Sequence, residues 1–63
     1  MESNLLDLSI NFIENQKRQI YLANKLIKYT NDNEEVIALA NEMIKRCEKC
    51  ISIEQNMMNN YEN

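Results

Sequence analysis

A seven-residue hydrophobic repeat runs through this chain twice, interrupted once by the polar stretch Thr30-Asn31-Asp32-Asn33. Before the interruption it is carried by Leu6, Ile13, Ile20 and Ile27, and after it by Ile37, Ile44, Ile51 and Met58. Residues so spaced fall on one stripe of an α-helix, which completes two turns in about seven residues. Alternating strands do not give that period. Leu5, Phe12, Gln19 and Leu26 lie beside the first row, and Val36, Met43, Cys50 and Met57 beside the second. A third inward row reads Ser9, Gln16, Ala23 and Thr30, then Ala40, Cys47, Glu54 and Tyr61. The pattern predicts an all-α fold, an antiparallel helical hairpin that forms a single domain over residues 1–63.

Composition agrees with this reading. The 63 residues include no Gly and no Pro, the residues that tight hairpin turns between strands rely on. Asn4 with Asp7 three residues on, and Asp32 with Glu35, have the spacing of N-terminal capping pairs. They predict helix 1 over about 5–29, a turn over about 30–32, helix 2 over about 33–60, and a frayed end beyond Asn59.

Folding about Asp32 sets Ile27 level with Val36 and Ile37, Ile20 with Met43 and Ile44, Ile13 with Cys50 and Ile51, and Leu6 with Met57 and Met58. A chain this short buries only about 60% of its unfolded surface, which leaves a lone hairpin short of core. The expected solution is a homodimer in which two hairpins form a four-helix bundle, with a heterologous protein partner on the same stripe as the alternative. The third inward row is the expected place for the second hairpin. The interface so predicted comprises Leu6, Ser9, Phe12, Ile13, Gln16, Ile20, Ala23 and Ile27 on helix 1 and Ala40, Ile44, Cys47, Ile51, Glu54 and Met58 on helix 2. Gln16, Gln19 and Glu54 are polar residues on otherwise apolar stripes, either a buried hydrogen-bonded layer that fixes register or the wet edge of the seam.

From Phe12 to Met58 the spacing resembles that of a bacterial family of ferritin-like helical hairpins associated with metal or copper handling. The first helix of that family carries a pattern like M-I-x-H-H-x-x-A-I-x-M-A and the second one like L-A-x-x-I-I-x-x-Q-x-x-E-I. Here the corresponding stretches run from Phe12-Ile13-Glu14-Asn15-Gln16 to Ala23, and from Leu39-Ala40-Asn41-Glu42-Met43-Ile44 to Ile51. The resemblance implies a helical-bundle fold. It implies no histidine metal site, because Asn15 and Gln16 stand at the paired-His positions and the chain has no His. The chain is also distantly similar to small sporulation phosphatases acting on aspartyl phosphate, whose second helix bears S-Q-E-L-D. The aligned Ala40-Asn41-Glu42-Met43-Ile44 lacks both the Ser and the Asp, so that activity is not carried over.

Other chemistry is sparse. Cys47 and Cys50, at i and i+3, can share a helix face, and across a dimer four thiols would suit Zn or Cu(I). Buried core cysteines are the competing reading, and a mid-helix C-x-x-C lacks the helix N-terminus that activates redox thiols. Met43, Met57 and Met58 lie at core spacing and read as packing. Lys17, Arg18, Lys45, Arg46 and Lys49 form a basic waist that an RNA-binding hairpin dimer would use, although Glu14 and Glu42 precede Arg18 and Arg46 by four residues in the manner of a solvated, ion-paired face. The net charge of −3 is small. No run of apolar residues is long enough for a membrane span, and neither a secretion signal nor a nucleophile with an adjacent base is visible. The sequence therefore points to a cytoplasmic, non-enzymatic interaction or scaffolding protein without a cofactor and not bound to membrane, with soft-metal binding through Cys47 and Cys50 as the first alternative and an RNA-binding hairpin dimer as the second.

Overall fold

The computed structural model describes residues 4–62, with side chains from Leu5 to Asn60. Helix α1 spans Asn4–Tyr29 and helix α2 spans Glu34–Glu62, and the two pack against each other as a hairpin. The second helix thus continues past Asn59, where fraying was expected. The expected Asn4 cap and the Tyr61 position lie outside the described side chains.

The turn solves its backbone problem without glycine. Helix α1 ends at Tyr29, and Asn31 follows in the left-handed conformation with φ of 59°. Asn is the residue after Gly that enters this region most readily, so the chain can reverse past the helix end without a glycine. Helix α2 then starts one residue later than Asp32 would have it. The Asn33 side-chain Oδ1 accepts the Val36 amide at 3.2 Å, and the Asn33 carbonyl accepts the Ile37 amide at 3.1 Å. Asn33, not Asp32, is therefore the N-cap. Glu34 and Glu35 occupy the first turn, where carboxylates complement the positive end of the helix dipole.

The deepest residues of the hairpin are not its large ones. Ala23, Ala40, Ser9 and Cys47 are 3%, 2%, 4% and 5% exposed, while Ile13 is the one buried residue of the rows Leu6–Ile13–Ile20–Ile27 and Ile37–Ile44–Ile51–Met58. Ile20, Ile27, Ile37, Ile44, Ile51 and Met58 are half-buried around them. Small side chains at the third inward row let the helix axes approach, and the branched residues close over the gap. Within one chain, Ser9, Ala23, Ala40 and Cys47 of the third inward row are buried in the seam between the two helices, with Gln16 and Glu54 half-buried beside them.

The resulting particle is long and thin, with Cα extents of 48 × 18 × 11 Å. Its radius of gyration is 14.7 Å, against about 11 Å for a compact domain of this length. Replacing Asn33 with Ala should cost about 1 kcal/mol of stability in urea denaturation, whereas Asp32→Ala should cost distinctly less, because only Asn33 receives the helix amide.

Candidate functional site: an uncovered apolar face

Helix α1 carries a second apolar stripe beside the seam, made by Leu5, Leu8, Phe12, Leu22, Leu26 and Tyr29. Their i, i+3, i+4 spacing is that of a helix-packing stripe, yet they are 54%, 63%, 40%, 46%, 50% and 70% exposed. Helix α2 repeats the arrangement with Val36, Leu39, Met43, Cys50, Ile53 and Met57, of which Leu39 and Ile53 are the most exposed. Because the helices are antiparallel, the rows flanking the seam in corresponding heptad positions fall on the same side of it. The two stripes therefore merge into one apolar face.

The opposite face is different in kind. Its seam-flanking positions are Ile10, Lys17 and Asn24 on α1 and Asn41, Glu48 and Gln55 on α2, all exposed. The hairpin is thus two-faced, one side dry in composition and the other wet. Accessible surface totals 5254 Å², while a compact monomer of 7.5 kDa exposes about 4,200 Å². The difference, on the order of 1,000 Å², is comparable to one partner's share of a stable protein interface.

Among the residues expected to carry function, Phe12 and Leu6 are the large apolar ones that reach the surface, at 40% and 36% exposure. The outer positions Leu8, Leu22, Leu39 and Ile53 were missed by the heptad reading. Their signal was available in the sequence as a second i, i+3 series running alongside the first.

The polar seam residues divide. Ser9 donates a hydrogen bond of 2.5 Å to Glu54 Oε2, so the deepest hydroxyl and the half-buried carboxylate satisfy each other across the hairpin. Gln16 is half-buried, and Gln19 is exposed on the apolar face. The Ser9–Glu54 bond also fixes register, because counting equally along both helices from it sets Gln16 level with Cys47 and Ala23 level with Ala40.

Cys47 lies inside the seam and Cys50 sits half-buried at the edge of the apolar face; both are free thiols. Among the described residues no group of three or more His, Cys, Asp or Glu side chains converges as a metal site within one chain. The basic waist is dispersed by the fold. Lys17 and Lys45 belong to the polar face, Arg18 and Lys49 to the two outer edges, and Arg46 to the margin of the apolar face. Lys25 Nζ covers the Tyr21 ring at 5.2 Å and Lys28 Nζ the Tyr29 ring at 5.7 Å, so these aromatic faces already hold cations of their own helix.

No protein-family model, curated protein or solved structure matches this chain. The likeness to paired-histidine hairpins rests on residue spacing alone. Among the described residues no helix is long and apolar enough to cross a membrane.

One measurement follows from the seam. Ser9→Ala should cost about 1–3 kcal/mol by leaving the Glu54 carboxylate without its donor, and adding Glu54→Leu should recover most of the loss.

Proposed function

We propose that this chain is a self-associating interaction module: a second copy covers the apolar face, the pair forms a four-helix bundle, and the polar faces are presented outward as a small non-enzymatic scaffold. The observation that carries the proposal is the uncovered apolar face shared by both helices. A continuous exposed apolar face running along both helices is unusual on a soluble monomer and marks a contact surface. A flat face flanked by antiparallel helices suits an identical hairpin, since two such faces stacked together reproduce the four-helix bundle and leave each helix with one solvent-facing side. The loss of surface also supplies the core that a hairpin of this length lacks.

Assembly of this kind makes folding and association one event, so the thermal midpoint should rise as protein concentration is raised. Lysines placed on the apolar face, as in Leu22→Lys with Leu39→Lys, should abolish that dependence and lower the midpoint by desolvating charge at the interface. The same two lysines at Tyr21 and Ala38, on the other side of each helix, should leave it in place. A wild-type midpoint independent of concentration, with a cooperative melt, would show that the hairpin stands alone and would refute the proposal.

A further inference from the structure

The apolar face is interrupted at one level only, and the residues that interrupt it are complementary. On α1 the break is Asn15 and Gln19, between Leu5, Leu8 and Phe12 on one side and Leu22, Leu26 and Tyr29 on the other. On α2 it is Arg46, between Met43 and Cys50. All three polar side chains are half-buried or exposed in one hairpin, and the described side-chain hydrogen bonds, Ser9 to Glu54 and the Asn33 cap, involve none of them. Register decides what each would meet. With Ser9 level with Glu54, the same count along both helices places Arg46 level with Lys17, midway between Asn15 and Gln19 on the helix opposite.

We propose, on the basis of the self-association put forward above, that two copies pair turn over turn, with α1 of each chain lying on α2 of the other and each Arg46 reaching between Asn15 and Gln19 of the opposite chain. A two-fold axis parallel to the helices preserves level, so the register read within one hairpin carries over between the two. The guanidinium has five N–H donors and no acceptor, and the two amide carbonyls offer the acceptors it needs at the centre of an otherwise apolar contact. The other two-fold axis that stacks the same faces lies across the helices. It sets α2 on α2, which places Arg46 beside its own copy, donor facing donor and charge facing like charge, and leaves the amides to one another. Slipping the turn-over-turn pair by one heptad would set Arg46 against Phe12 or Leu26, so the polar waist locks the register as well as the orientation.

The test is the distance between turns. In the full chain with Cys47→Ala and Cys50→Ala, a nitroxide on Asp32→Cys reports this distance by pulsed electron resonance. Turn-over-turn pairing predicts a separation within about 20 Å, set by neighbouring helix axes. A separation on the order of 40 Å, the length of the helices, would overturn this arrangement while leaving the dimer intact. No distance between chains together with a monomer mass would instead remove the self-association itself, and this arrangement with it. A second pair of variants keeps the native cysteines: Gln19→Lys should weaken the dimer about tenfold by facing Arg46 of the opposite chain, and adding Arg46→Glu should restore it. A dimer that Gln19→Lys leaves unchanged, or that Arg46→Glu fails to rescue, would contradict the contact.

Discussion

The close approach of two rows of small side chains, with Ala23 level with Ala40 near the turn, governs the rest of this structure. Alanine and cysteine at the deepest positions let the backbones come near, but they contribute little apolar surface of their own. The half-buried isoleucines around them supply more, although a two-helix layer can only half-cover them. A hairpin held in this way is directional but leaves much of its apolar surface uncovered. Its register is set by the tight seam and by the Ser9–Glu54 bond, while the largest leucines stay outside. The surplus of accessible surface and the extended shape are consequences of that division.

The division also explains why one face matters more than the other. A helix that packs on two neighbours needs two apolar stripes roughly a quarter-turn apart, and both helices here have them. One stripe of each is used within the hairpin. The other is free, and antiparallel geometry brings the two free stripes to the same side. Apart from Ile10, polar residues flank the seam on the opposite side, so the continuous apolar surface is confined to one face.

Much of the fold was legible in the sequence because a doubled heptad around one polar gap admits few structures. The exact start of α2 was not, because Asp32 and Asn33 are equally able to cap. The choice falls to Asn31, whose left-handed backbone carries the chain one residue further before the helix begins. Which of the inner rows form the seam within one chain was not legible either. Three adjacent rows on each helix are substantially apolar or small, and periodicity cannot say which two of the three face inward. Steric fit decides it, because the row containing Ala23, Ala40 and Cys47 permits the closest approach. Once that row is taken into the seam, the row containing Phe12, Met43 and Met57 moves to its edge, and the outer leucines become the site.

The central claim, that the apolar face of one hairpin is covered by a second copy, is tested most directly by sedimentation equilibrium of the unmodified, reduced protein across its soluble concentration range. The account predicts a reversible association that levels off at twice the 7.5 kDa mass of one chain. A folded helical species that keeps the mass of a single chain at every concentration would contradict it.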